Sequence, residues 1–252
     1  MFLTKRFQDQ LHTAFLGHDF HYFPITESTN VDAWNLIENH FTNGVVILAG
    51  HQKKGRGRRG TEWYSTPDSS LTFSIVYTVS LPMEKLGLLS LLSGVSVVTA
   101  AKKLVDIPMQ LKWPNDIMAR GKKMGGILVE TRKQKQEFII VTGMGLNINE
   151  QREELPPELQ NSATSLFIES GLRVQREDFL ANILMQYEYY LNNLKQVIPQ
   201  WNIFCSHHND IITFHQGDQT IKGKFLGVDE NGYARIEQDG IIRTYSGGWI
   251  QL

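Results

Sequence analysis

The sequence predicts an α+β chain ending in a small β-barrel of the SH3-like kind. Three observations carry that expectation. Apolar, β-branched runs of strand length recur between residues 20 and 146. Two long stretches with helical spacing, Glu84 to Val105 and Arg176 to Ile198, interrupt and follow them. After about residue 208 the chain changes to short strand-like runs punctuated by turn signals.

Taken in order, Phe20 to Ile25 reads as a short strand. Ser28-Thr29-Asn30 supplies N-cap chemistry for an amphipathic run carrying Val31, Ala33, Trp34, Leu36 and Ile37. Val45 to Ala49 is a continuous apolar strand, and Leu71 to Ser80, rich in Thr, Phe, Ile, Val and Tyr, is another. Glu84 to Val105 is apolar nearly all round, the mark of a buried helix. Met109 to Trp113, Gly126 to Thr131 and Glu137 to Leu146 read as strands, with Arg132 to Lys135 turning the chain between the last two. Leu155-Pro-Pro-Glu opens an irregular loop. The second long helix has Phe179, Leu180, Ile183, Leu184, Tyr187, Leu191 and Leu194 on one stripe. Ile211–Phe214, Gln219–Val228, Gly232–Gln238 and Ile241–Tyr245 are the late strands, with Asn231-Gly232 and Asp239-Gly240 as hairpin signals. A boundary near Ser206 to Asp210 gives domains of 1–207 and 208–252.

Composition narrows the function classes. Of 252 residues 41% are hydrophobic, enough for a sizeable core, and the net charge is −1. Without His51 to Gly60 the count becomes 20 basic against 26 acidic residues, so the positive charge is local. That argues against a polyanion-coating protein, which carries a broader basic face. The single cysteine, Cys205, excludes an internal disulfide and fits a reducing cytosol. The first fifteen residues are broken by charges and lack the apolar core of a signal peptide, and no run reaches the length of a membrane span. A cytoplasmic protein without membrane or nucleic-acid partners is expected.

Four motifs could carry chemistry. In His51-Gln-Lys-Lys-Gly-Arg-Gly-Arg-Arg-Gly60, glycines let backbone amides face an anion while arginines neutralise it. The string contains Gly55-x-Gly57-x-x-Gly60, yet it joins two strands rather than opening a helix, so it is no dinucleotide fingerprint. On charge alone a solvated loop, a nucleic-acid contact and a ligand cradle all remain open. Lys112-Trp113-Pro114-Asn115-Asp116 ends a strand, where side chains commonly face a pocket; a plain Pro-Asn-Asp turn with Trp113 in the core is the blander reading. Lys122 to Glu130 puts lysines before two glycines and a buried strand, which suits either a phosphate contact or a basic hairpin tip. Ser28 to Asn30 at a helix start can cap the helix and also hold a polar ligand.

In this order the motifs resemble the biotin protein ligases. The matching residues are Ser28-Thr29-Asn30, Gly55 to Gly60 followed by Trp63, Lys112 to Asp116, and Lys123 before Gly126 to Glu130. Gly143-Met-Gly-Leu-Asn147-Ile-Asn149 and Ser162 to Leu166 are similar to later family segments, so the likeness covers roughly residues 20 to 250. The resemblance implies a mixed central sheet flanked by helices, in the manner of the class II biotin and lipoate ligases. It also implies a reaction in two steps: biotin and ATP give biotinyl-5′-AMP and pyrophosphate, and a lysine of a biotin carboxyl carrier protein then displaces AMP. Lys123 is implied at the biotin carboxylate and α-phosphate, and Arg58 at the phosphates. Ser28, Thr29, Asn30 and Gln52 match the positions for biotin's ureido ring, and Gly55, Arg56 and Gly57 those of the backbone that closes over it. Asn115 is implied for Mg2+ and phosphate, Asp116 for the incoming amine, and Lys112 and Asn147 for the nucleotide side. Trp63 is read as packing, and Thr61 to Ser70 as moving with the basic loop. Family members include monomers and homodimers, and some carry an N-terminal helix-turn-helix domain, for which the early position of these motifs leaves no room. A lipoate ligase of the same fold is the alternative, disfavoured because lipoate enzymes vary at these motifs; a nucleic-acid module is a more distant one.

Overall fold

The computed structural model describes residues 2–39 and 41–251. Its strands are β1 (Phe20–Phe23), β2 (Val46–Ala49), β3 (Gly55–Arg56), β4 (Glu62–Trp63), β5 (Leu71–Val79), β6 (Met109–Lys112), β7 (Asp116–Ala119), β8 (Lys122–Gln134), β9 (Glu137–Leu146), β10 (Ile211–Gln216), β11 (Gln219–Val228), β12 (Ala234–Gln238), β13 (Ile241–Tyr245) and β14 (Trp249–Gln251). The helices are α1 (Thr4–Gln10), α2 (Thr29–Asn39), α3 (Leu88–Ala101), α4 (Leu166–Ser170), α5 (Arg176–Asn192) and α6 (Val197–Phe204).

A seven-stranded mixed sheet in the order β1-β2-β5-β9-β8-β7-β6 forms the centre. β1 and β2 run parallel, and every other neighbouring pair is antiparallel. Alternation along each strand sends Leu71, Phe73, Ile75 and Tyr77 of β5, and Phe138, Ile140 and Met144 of β9, into the main core. That core is closed by α3, α5 and α6. Nearly every residue of α3 is buried, which explains a helix apolar on all sides. The opposite face is covered by α2 over only part of its length. There Val45, Ile47, Val76, Ile139 and Val141 pack under Ala33, Trp34, Leu36 and Ile37. Beyond the end of α2 the same face carries Thr72 and Ser74 on β5 and Gly143 and Gly145 on β9. Small and polar residues therefore begin where the helical cover stops, and this uncovered patch is the floor of a cavity.

The five late strands form an antiparallel sheet, β13-β12-β11-β10-β14, the SH3-like C-terminal element. Several boundaries differ from the sequence reading. The first long helix is shorter: Pro82 and Gly87 precede a one-turn 3-10 segment and the start of α3. The second breaks at Asn193 (φ −131, ψ 50) into α5 and α6. β8 starts at Lys122, because its glycines pair with β7 and β9 instead of turning the chain; Arg132 to Gln134 stay in the strand, and the turn follows at Lys135 (φ 55). The basic loop holds the small β3–β4 hairpin. Helix α1, strand β7 and strand β14 were not anticipated.

Candidate active site

The cavity measures about 290 Å3 and lies on the uncovered sheet face. Strand register builds its floor. Thr72, Gly145, Gly126 and Asp116 are successive partners across β5, β9, β8 and β7, and Lys112 on β6 continues the row outside the cavity. Ser74, Gly143 and Leu128 form the neighbouring row. A methyl group on Gly143 would overlap Asn30 Oδ1, and one on Gly145 would overlap the Trp63 ring. Those glycines are needed for close approach of side chains to the sheet.

The Ser28–Asn30 turn is buried at one end. Gln52 Oε1 accepts from the Thr29 backbone N–H (2.7 Å) and the Thr29 hydroxyl (3.0 Å). This fixes the Gln52 amide and leaves Nε2 as its uncommitted donor. Ser74 Oγ lies 2.7 Å from Thr29 Oγ1 and 2.6 Å from Asn30 Oδ1. The Gln52 backbone N–H donates to Ser65 Oγ (3.0 Å), tying the turn to the segment after the basic loop.

At the other end, the Trp113–Pro114 peptide is cis. Asn115 pairs with Ile127 through its backbone carbonyl (3.0 Å) and through Nδ2 to the Ile127 carbonyl (2.8 Å). Its Oδ1 accepts from Arg58 Nη1 at 3.4 Å, and the same guanidinium nitrogen reaches the Gly248 carbonyl at 3.4 Å. Lys123 Nζ is 2.6 Å from Asp116 Oδ1. A register shift after Ile117 lets Lys123 pair with Met118, and its backbone is clamped by Ser162 and Thr164.

Electrostatics at this end are unbalanced. Burial lowers the Arg58 pKa; neighbouring Arg59 lowers it further, while Asp116 opposes. Lys112 is likewise lowered by burial, with Asp116 raising and Lys123 lowering it. Clustered cations with reduced proton affinity favour an anion in their midst. Trp63 Nε1 and Thr72 Oγ1 are buried without a hydrogen-bond partner, two orphaned donors at the cavity floor.

Most residues expected from sequence converge here: Ser28, Thr29, Asn30, Gln52, Arg56, Gly57, Arg58, Asn115, Asp116 and Lys123 all line the cavity. Gly55, Lys112 and Asn147 do not. Gly55 lies behind the hairpin against the Trp63 carbonyl, and Asn147 spends Nδ2 on the Thr164 carbonyl (2.9 Å). Trp63, read as packing, is a wall of the cavity. Thr72 and Trp249 lie outside the expected set, and Gly143 and Gly145, which the sequence offers only as part of a family-like segment without a role, also line the cavity. Glycines inside the strand Glu137 to Leu146 were the available signal for two of them; nothing marked Trp249.

Among the described residues no group of three or more His, Cys, Asp or Glu side chains is placed to hold a metal. Asn115 and Asp116 offer adjacent oxygens. Such a sparse set suits Mg2+, which keeps its waters and binds through one or two carboxylates together with substrate phosphates.

The model of the biotin/lipoate A/B protein ligase family matches residues 22–147, and that of the biotin protein ligase C-terminal domain matches residues 207–252. The bifunctional ligase/repressor BirA of Bacillus spizizenii is 30% identical over 243 residues, covering 94% of this chain and 75% of the relative. The chain belongs to the biotin protein ligase family. Among other ligases, the biotin–[acetyl-CoA-carboxylase] ligase of Mycobacterium tuberculosis is 34% identical over 235 residues, covering 88% of this chain and 85% of that protein. The biotin protein ligase of Aquifex aeolicus, solved in complex with biotin and ATP, superposes with a TM-score of 0.79 at 29% identity, covering 93% and 98% of the two chains.

Proposed function

We propose that this ligase activates biotin with ATP and transfers it to one lysine of a biotin carboxyl carrier protein in the cytoplasm. The observation that carries the reading is the convergence on one cavity of motifs that lie far apart in sequence. A biotin carboxylate oxygen attacks the α-phosphorus, and pyrophosphate leaves. The lysine ε-amine then attacks the acyl carbon of biotinyl-5′-AMP, the carbonyl–phosphate bond breaks, and AMP leaves with the electron pair. No enzyme nucleophile takes part.

The catalyst's task is to hold two anions together in reactive geometry. Lys123 and Arg58 bridge the carboxylate and α-phosphate. Asp116, paired with Lys123, receives the incoming ammonium and takes its proton once Lys123 turns to the phosphate. Ser28, Thr29, Asn30 and the free Nε2 of Gln52 contact the ureido ring, with Arg56 and Gly57 above it. The orphaned donors of Trp63 and Thr72 support a ligand bearing acceptor atoms. Asn115 would help hold Mg2+ arriving with the nucleotide, and the ion would neutralise charge on the phosphates. Lys112 acts through Asp116, and Asn147 by holding the Thr164 backbone beside Lys123. Of the segment Thr61 to Ser70, the part to Tyr64 closes with the basic loop and keeps water from the mixed anhydride, while Ser65, Thr66, Ser69 and Ser70 are buried, with Ser65 and Ser70 anchored by Gln52, Glu150 and Arg176.

Incubation with ATP, Mg2+, biotin and an apo carrier domain should add one biotinyl group, read by mass spectrometry. Pyrophosphate exchange driven by lipoate and not by biotin would overturn the substrate assignment.

A further inference from the structure

Glu130 is a carboxylate that the chemistry above leaves unused. It lies on β8 opposite Val141, on the face that carries the cavity floor. Donors from α2 and from the basic loop converge on it. Its Oε2 accepts from Asn30 Nδ2 at 2.9 Å and from Trp34 Nε1 at 3.0 Å. Arg56 Nη2 lies 3.2 Å from Oε1 and 3.3 Å from Oε2.

Each contact constrains a part of the site. An Asn amide can bind in either of two orientations. With Nδ2 committed to the carboxylate at 2.9 Å and, at the longer distance of 3.4 Å, to the Leu128 carbonyl, Asn30 must keep Oδ1 toward Ser74 and the cavity. The basic loop has space on both sides. Its inner face lines the cavity, and its outer face, from Lys54 to Glu62, lines a groove that ends at Leu128 and Glu130. Lys54 is tied to Glu27 only at the exposed surface (2.8 Å; side chains 80% and 52% exposed). The Arg56–Glu130 pair is less exposed, at 44% and 27%, and it crosses directly from loop to sheet.

We propose that Glu130 is a positioning residue for the biotin site. It sets the orientation of the Asn30 amide and latches the basic loop over the cavity through Arg56. The first role rests on the biotin reading; the second rests on the contacts alone. A carboxylate is required because both oxygens must accept. Glutamine, with its carbonyl in the Oε2 position, can still accept from Asn30 and Trp34, but it loses the charge that pairs with Arg56 and turns an amino group toward it in place of Oε1, leaving only the 3.3 Å contact.

Glu130→Gln should therefore release the latch and keep most of the amide orientation, whereas Glu130→Ala should lose both. In the ligand-free protein, trypsin cleavage after Arg58, a site that every variant keeps, should be about fivefold faster in Glu130→Gln. Arg56→Gln should match it, and the double variant should be no faster than either, because the same contact is removed twice. In adenylate formation, Glu130→Ala should raise the biotin KM by roughly thirtyfold while kcat and the ATP KM stay within about twofold. Additive cleavage effects would overturn the latch. Equal rises in both KM values, or an unchanged biotin KM, would overturn the amide role. If the wild-type chain fails to activate biotin, the proposed reaction falls, and the cleavage comparison still decides the latch.

Discussion

Arg58 connects the parts of the site that differ most in sequence position. Its guanidinium touches Asn115 from the strand-end motif and the Gly248 carbonyl from the late strands, and it sits beside Arg59. Half-buried and repelled by a neighbouring cation, it gains most when an anion arrives between them. Arg58→Gly should leave the fold intact and speed release of biotinyl-5′-AMP by about a hundredfold, given about 3 kcal/mol for a lost charge-assisted contact. A stopped-flow chase with unlabelled biotin measures that rate, and a wild-type off-rate would exclude Arg58 as the retaining group. A second residue governs stability. Glu150 is fully buried, its carboxyl pushed by desolvation from 4.5 to about 7 although Ser70 donates to it at 2.5 Å. Between these values the folded chain keeps a proton that the unfolded chain has lost, so stability falls as pH rises. The contribution is complete below about 4.5, is lost through about 7 and is flat above, a difference on the order of 3 kcal/mol. Glu150→Gln removes that decline. Urea midpoints at pH 5 and pH 8 should converge in the variant, and an unchanged pH dependence would assign the effect elsewhere.

At the scale of elements, β8 and β9 decide where a ligand can lie. Their core-facing positions are large, Ile127 and Met144, while their outer positions thin to Gly126, Gly143 and Gly145 just past the end of α2. Gly143→Ala places its methyl on Asn30 Oδ1. Overpacking of this kind costs about 1–3 kcal/mol, and here the strain falls on a ligand-facing amide. Calorimetry should show biotin affinity reduced more than tenfold with a modest fall in melting temperature; wild-type affinity would mean Asn30 does not read the ligand. The sequence made much of this visible. Apolar runs at strand spacing located β2, β5 and β9, and ten of the site residues expected within the four polar motifs line the cavity. What it hid was depth. The glycines just before and at the start of the strand Gly126 to Thr131 leave a hairpin tip and a phosphate contact both open, because local propensity is blind to the cross-strand neighbours that make close approach useful. Trp63 reads as core because its alignment over Gly145 exists only after β4 folds back. Asn147 reads as a ligand contact, yet its amide is used to hold the Thr164 backbone.

At the scale of the whole molecule, the late strands are bound to the catalytic sheet by specific contacts. Trp113, from the strand-end motif, donates Nε1 to the Gly232 carbonyl at 3.1 Å and packs its ring 5.9 Å from Phe214. The Ser206 N–H donates to the Leu111 carbonyl at 2.9 Å, and His207 packs 4.3 Å from Phe225 in a fully buried junction. From this base the turn before β14 delivers Gly248 to Arg58 and Trp249 to the cavity wall. Residues 208–252 should therefore unfold together with residues 1–207 and take part in retaining the adenylate. Phe214 tests both claims, since it is wholly buried between Trp113 and Tyr245. Phe214→Ala should cost about 3–5 kcal/mol. Scanning calorimetry should show one transition moved to lower temperature, and adenylate release should quicken at temperatures where the chain is still folded. Two separate transitions, with only the first displaced, would mean that the late strands fold independently and that Gly248 and Trp249 are held by the loop alone.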